Sequence, residues 1–164
     1  MKQILLITDG CSNVGESPVL AAAQALAEGI AVSVAGVVDE GTIGEHGAAE
    51  IADIARAGGG MSRIVTPRQL SQTVRMMTRQ TVAGTIRQAV NRELRQLFGL
   101  ESVGALPPGE RAEVVQVMEE LEETAPLRIA LLIDASASMK PKLAAVEEAI
   151  RDLALGLQAR AGKS

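Results

Sequence analysis

Oxygen-bearing side chains follow two short apolar segments that lie near opposite ends of this 164-residue chain. Residues 4–8 form the first segment and residues 128–133 form the second. The oxygen-bearing residues that follow them are Asp9, Asp134, Ser136 and Ser138, the last three in the pattern Asp-x-Ser-x-Ser. Carboxylate and hydroxyl oxygens are the hard ligands that Mg²⁺ and Mn²⁺ prefer. The sequence therefore predicts a Mg²⁺ (or Mn²⁺) site if the two segments meet in space.

The elements that must position these side chains alternate between strand and helix. Residues 4–8 have the continuous apolar character of a strand that is buried on both faces. We predict strands at residues 4–8, 30–38, 62–65 and 128–133, and helices at residues 18–28, 45–57, 68–98, 110–123 and 140–161. This order predicts an α/β fold: a parallel, Rossmann-like sheet of about four strands, flanked by helices and joined by one long helix.

Several motifs together resemble the von Willebrand factor A (VWA) family. They are ILLITDG at residues 4–10, AVSVAGVVDE at residues 31–40, IADIARAGGG at residues 51–60 and RIALLIDASASM at residues 128–139. Residues 3–83 resemble the second half of a VWA domain, and residues 128–161 resemble its first strand and first helix. The two parts therefore stand in reversed order. The chain resembles VWA-like proteins of spore-forming bacteria, permuted or truncated after the first helix of the second portion.

The resemblance implies a fold, a site and an activity. In the family the two segments are neighbouring strands, so residues 4–8 and 129–133 should pair in parallel, with neither at the sheet edge. Asp9 would then join Asp134, Ser136 and Ser138 in a metal ion-dependent adhesion site. The family's metal-binding Thr loop is missing, so binding of Mg²⁺ should be weak. The implied activity is protein–protein interaction, in which an acidic side chain of a partner protein occupies the open position on the metal.

Composition and charge narrow the classes of partner. The net charge is −4 and Phe98 is the single aromatic residue, so we expect no nucleic-acid partner. We expect no membrane partner either, because no apolar run is long enough to span a bilayer. The single cysteine, Cys11, cannot form an internal disulfide, which favours a cytoplasmic location.

We expect three regions that combine into one domain. Residues 1–98 hold the VWA-like second half and the long helix, residues 99–127 hold a linker and an acidic amphipathic helix, and residues 128–164 hold the first strand and helix. The long helix is rich in Arg and the acidic helix is rich in Glu. The two helices are therefore expected to pack on each other, or on a second copy in a homo-oligomer, unless both charged faces are simply solvated.

Other interpretations of the site stay open at this stage. Asp134 and the two serines could cap the following helix, and Asp9 could be a turn residue. Thr8 is expected to be a buried strand residue rather than a metal ligand. A catalytic pair of Cys11 and His46 is the least favoured reading. Two alternative functions are a Mg²⁺-using enzyme of the phosphotransfer or hydrolase type, and a metal-free structural fragment.

Overall fold

The computed structural model describes residues 1–10, 15–39 and 45–161. Its strands are β1 (Lys2–Thr8), β2 (Ile30–Val37), β3 (Gly59–Val65) and β4 (Arg128–Ile133). Its helices are α1 (Pro18–Ala27), α2 (Glu45–Ala57), α3 (Pro67–Phe98), α4 (Pro108–Thr124) and α5 (Leu143–Ala161), with short 3₁₀ turns at Val103–Ala105 and Ala137–Lys142. The predicted α/β fold with its long helix α3 is confirmed. Within the described residues, no helix is long and apolar enough to cross a membrane.

The four strands form one parallel sheet in the order β3-β2-β1-β4. Strand β1 pairs with β4 in the register that places Lys2 opposite Arg128 and Ile7 opposite Ile133. The predicted parallel pairing of the two distant segments is therefore confirmed. Because the carboxyl ends of parallel strands meet at one edge of the sheet, the residues that follow β1 and β4 lie side by side.

The expectation that neither segment would be an edge strand is wrong for β4. This strand ends the sheet, and the side chains of Leu132 and Ile133 are 53% and 38% exposed. The apolar run correctly indicated a strand. The apolar run did not indicate how many strands pair with β4, because an edge strand and a central strand can have the same apolar sequence.

Helices cover both faces of the sheet. In β1, Leu5 and Ile7 pack with residues of α3 and α5, whereas Ile4 and Leu6 pack with residues of α1 and α2. This alternation is the period-two pattern of a strand that is covered on both faces. A third apolar cluster lies between α3 and α4, where Val82 and Ile86 of α3 pack with Met118 of α4. The two charged helices therefore pack within one chain, as expected.

A glycine run allows β2 and β3 to approach closely. A Cβ atom added to Gly60 would lie 2.1 Å from the carbonyl oxygen of Val32, so no side chain fits there. Gly59 has a φ of +68°, which favours glycine. Strand β3 begins at this residue, three positions before the predicted start, and the run is therefore part of the sheet as well as the end of α2.

The predicted start of the last helix is also corrected. Helix α5 begins at Leu143 rather than at residue 140, because a 3₁₀ turn that contains Pro141 precedes it. A proline inside an α-helix removes a backbone donor, and the tighter turn accommodates it. This turn follows Ser136 directly and so forms one wall of the predicted site.

Candidate functional site

Thr8 and Asp134 connect the ends of β1 and β4. The backbone N–H of Asp134 donates to the carbonyl of Ile7 over 2.9 Å and so extends the sheet pairing by one residue. The hydroxyl of Thr8 donates to Oδ2 of Asp134 over 3.0 Å. Thr8 is 7% exposed, so it is the buried strand residue that we expected. It is also part of the site, because its hydroxyl fixes one oxygen of the Asp134 carboxylate.

The turn after β4 holds the two serines together. The backbone N–H of Ser136 donates to Oδ1 of Asp134 over 2.9 Å, and the hydroxyls of Ser136 and Ser138 are 3.1 Å apart. Ser136 occupies the cap position of the 3₁₀ turn, but its side chain makes no capping hydrogen bond. Capping of this turn therefore does not account for the Ser136 hydroxyl, and both serines are exposed.

Asp9 makes an ion pair that the sequence analysis missed. Its Oδ2 atom lies 3.3 Å from Nζ of Lys142. The same ammonium group lies 3.5 Å from Oδ2 of Asp39, just after β2, and donates to the carbonyl oxygen of Ser138 over 3.1 Å. Lys142 is only 6% exposed. The available signal was its position four residues, about one helical turn, after Ser138.

Hydrogen bonds lower the pKa of Asp134. Burial of the carboxyl acts in the opposite direction and raises the pKa, but the backbone N–H of Ser136 and the hydroxyls of Thr8 and Ser136 outweigh it, with a further contribution from the backbone of Asp9. Asp134 is therefore ionised at neutral pH. Within the described residues, the carboxylates of Asp9, Asp39 and Asp134 outnumber the ammonium groups of Lys140 and Lys142 at this sheet edge, so its net charge favours a cation.

The chemistry of the donor set fits a weakly bound hard cation. The carboxylates of Asp9 and Asp134 and the hydroxyls of Ser136 and Ser138 are oxygen donors of the type that Mg²⁺ binds. The described residues contain no cluster of three or more His, Cys, Asp or Glu side chains suited to a metal. A cation here would therefore depend on hydroxyls and water for much of its coordination.

The remaining predicted residues add little to this edge. His46 lies on α2 and is exposed. Cys11 lies outside the described residues, so the structure does not test a Cys–His pair. The predicted site thus rests on Asp9, Asp134 and the two serines, with Thr8 and Lys142 added by the fold.

A second feature is a cavity of about 530 Å³ between α3, α4 and α5. Arg75 and Arg79 of α3 line it together with Glu119 and Glu122 of α4, so the opposed charges of the two helices meet around it. Arg160 of α5 also lines the cavity. Its guanidinium group donates to the carbonyl oxygens of Leu121, Glu122 and Ala125 at the end of α4.

Known proteins resemble this chain over nearly its whole length, whereas no protein-family model matches it. The uncharacterized protein YabS of Bacillus subtilis (strain 168) is 46% identical over 165 residues, which cover all of this chain and 67% of YabS. The crystal structure of an uncharacterized protein from Alicyclobacillus acidocaldarius subsp. acidocaldarius DSM 446 matches with a TM-score of 0.91 and 51% identity. The matched region covers 98% of this chain and 68% of the Alicyclobacillus chain.

Proposed function

We propose that this chain, which belongs to the same protein family as Bacillus subtilis YabS, is a VWA-like protein–protein interaction module with a Mg²⁺-dependent site. One observation carries the proposal. The ends of the neighbouring strands β1 and β4, which are far apart in sequence, bring Asp9 together with the Asp-x-Ser-x-Ser turn. Ligands of open parallel sheets bind outside the carboxyl ends of the strands, which is where these side chains lie.

Four side chains would hold the ion: Asp9, Asp134, Ser136 and Ser138. Their hydrogen bonds already hold Asp134 ionised and keep the two hydroxyls adjacent. The bound ion would supply an open coordination position for an acidic side chain of a partner protein. Mg²⁺ loses its water reluctantly, and this set has few charged ligands, so the affinity for the ion should be low.

The alternative function is a Mg²⁺-using enzyme of the phosphotransfer or hydrolase type. Such an enzyme needs a cationic side chain that reaches the substrate phosphate. Lys142 is close enough to Asp9, but it is buried and its ammonium group already contacts two carboxylates and a carbonyl. This burial favours the interaction module over the enzyme.

We also propose a cytoplasmic location, which the single cysteine supports.

The first experiment measures stabilisation by metal. The parent protein, stripped with EDTA, is titrated with MgCl₂ and with MnCl₂ while its thermal unfolding is followed. A site with a Kd of about 1 mM gains about 1.4 kcal/mol at about 10 mM metal. We expect Asp9→Ala and Asp134→Ala to lose this gain. Asp53→Ala, which removes an exposed carboxylate from α2, is the matched control and should keep it.

The second experiment tests the interaction. A displayed peptide library is selected on the parent protein in Mn²⁺ and eluted with EDTA. We expect peptides that share an Asp or Glu, and we expect no enrichment on the Asp134→Ala protein. A parent protein that shows no metal-dependent stabilisation, or an Asp134→Ala protein that responds to metal like the parent, would overturn the proposal and favour a metal-free structural role.

A further inference from the structure

The ammonium group of Lys142 already occupies part of the proposed metal site. Its Nζ atom contacts Asp9 Oδ2 at 3.3 Å and the carbonyl oxygen of Ser138 at 3.1 Å. The carboxylate of Asp9 is one of the proposed ligands, whereas the contact with Ser138 is to its backbone carbonyl and leaves its hydroxyl free of the ammonium group. A metal ion at this site would therefore have to share the Asp9 carboxylate with a buried ammonium group.

We infer that Lys142 is a built-in competitor for the cation, and that it must move from Asp9 towards Asp39 before a divalent ion can use the Asp9 carboxylate. The inference rests on the proposed function, since it concerns the same site. It adds a residue that sets the affinity for metal without being a ligand.

Asp39 is suited to receive the displaced ammonium group. Its Oδ2 atom already lies 3.5 Å from Nζ of Lys142, and its side chain is 68% exposed. A buried ammonium group that lost all carboxylate contact would be strongly unfavourable. The lysine side chain is a flexible four-carbon stem, so a small rotation changes which carboxylate it contacts. Asp39 thus allows Lys142 to leave Asp9 without becoming unpaired.

The competition predicts a change in metal affinity when the charge is removed. Lys142→Met replaces the side chain by one that is a single heavy atom shorter, so it keeps the unbranched stem and removes the ammonium group. Because two cations a few ångströms apart repel, we expect Lys142→Met to bind Mn²⁺ about tenfold more tightly than the parent. Lys140→Met is the matched control: this lysine lies in the same turn but is exposed, and its affinity should stay within about twofold of the parent.

Asp39→Asn should act in the opposite direction. This variant removes the second partner of Lys142, so the ammonium group stays on Asp9 and Mn²⁺ should bind several-fold more weakly. The Kd of each protein is measured from the electron paramagnetic resonance signal of free Mn²⁺. Circular dichroism confirms that each variant is folded.

A second measurement needs no substitution. Acetylation of each lysine of the parent by a small amount of acetic anhydride is quantified by mass spectrometry, in EDTA and in Mn²⁺. We expect Lys142 to react slowly in EDTA and at least about threefold faster in Mn²⁺, because it moves towards an exposed carboxylate. The exposed Lys140 should react at the same rate in both conditions.

The outcomes separate this inference from the proposed function. If the parent binds Mn²⁺ but Lys142→Met binds it equally or more weakly, and the acetylation of Lys142 does not change, the competitor inference is wrong and the metal site stands. If neither the parent nor Lys142→Met binds Mn²⁺, the proposed function is wrong and the inference falls with it. Binding of Mn²⁺ by the parent, together with about tenfold tighter binding by Lys142→Met, supports both.

Discussion

Replacing Thr8 with valine tests the hydrogen bond that joins β1 to the Asp-x-Ser-x-Ser turn. The hydroxyl of Thr8 lies 3.0 Å from Oδ2 of Asp134. Valine has nearly the same shape but cannot donate a hydrogen bond. Hydrogen bonds to charged groups contribute about 1.5–3 kcal/mol to stability. Asp134 is partly exposed, which favours the lower end of that range. We therefore expect Thr8→Val to lower the free energy of unfolding by about 1.5 kcal/mol at pH 7.

The loss should depend on pH in one direction. The folded protein holds the pKa of Asp134 below its ordinary value, and the Thr8 hydroxyl is one cause. The stability from this group is present above the pKa of the unfolded chain, about 3.9, and disappears as the pH falls through the lower pKa of the folded state. Since Thr8→Val raises the folded pKa towards the ordinary value, the gap to the parent should shrink below about pH 4. Below that pH, the Thr8 hydroxyl of the parent still bonds to the neutral carboxyl of Asp134. A stability difference of about 0.5–1 kcal/mol between the parent and Thr8→Val should therefore remain.

The assay is urea denaturation of the parent and the variant between pH 7 and pH 3.5, in EDTA so that metal does not contribute. Thr8→Ser is the matched control, because it keeps the hydroxyl and loses one methyl group, at a cost of about 0.8 kcal/mol that does not change with pH. A gap between the parent and Thr8→Val that is the same at every pH would refute the reasoning. So would a Thr8→Val protein as stable as the parent at pH 7.

Two further substitutions test the packing around the site and around the cavity. Met139 follows Ser138 and has no exposed surface, so Met139→Ala should lower the free energy of urea unfolding by about 2–5 kcal/mol, whereas Met139→Leu should cost less than about 1.5 kcal/mol. Arg160→Ala removes the donors to the last carbonyls of α4 and should cost about 1–2 kcal/mol in thermal unfolding. Arg160→Lys should recover part of that loss. An Arg160→Ala protein as stable as the parent would mean that water replaces those hydrogen bonds.

The sequence predicted elements well where local signals mark both ends. Strand β4 has the predicted bounds because Pro126 and Asp134 flank a short apolar run, and α2 ends as predicted before a run of glycines. Ser17 caps α1 and Pro18 begins it, as the preferences of helix starts indicate. The largest differences lie at Gly59 and Leu143, where contact with a neighbouring strand and a 3₁₀ turn decide the structure. The other bounds that differ, such as the start of β1 at Lys2 and of α4 at Pro108, do so by one or two residues.

The sequence indicated the oxygen-bearing side chains that meet at this sheet edge, but it did not indicate the ammonium group of Lys142 that lies among them. Asp9, Asp134 and the serines carry a recognisable motif, and the structure places them at adjoining strand ends. Lys142 contacts a residue 133 positions away, and its one local signal is its spacing of four residues from Ser138. Its burial results from the docking of α5 and the 3₁₀ turn against the sheet, which no local pattern encodes. For the same reason, the exposure of β4 at the sheet edge became visible only with the strand order.

The distance along the chain between β1 and β4 also has a consequence for synthesis. The two strands pair residues that are 126 positions apart, as Thr8 and Asp134 are. Ribosomes add about 5–20 residues per second, so roughly 6–25 s pass between the emergence of the two partners. Throughout that interval, the edge of β1 that later pairs with β4 has no partner, so its backbone groups and apolar side chains are accessible to other proteins. Chaperones that bind nascent polypeptides therefore have this interval in which to bind β1.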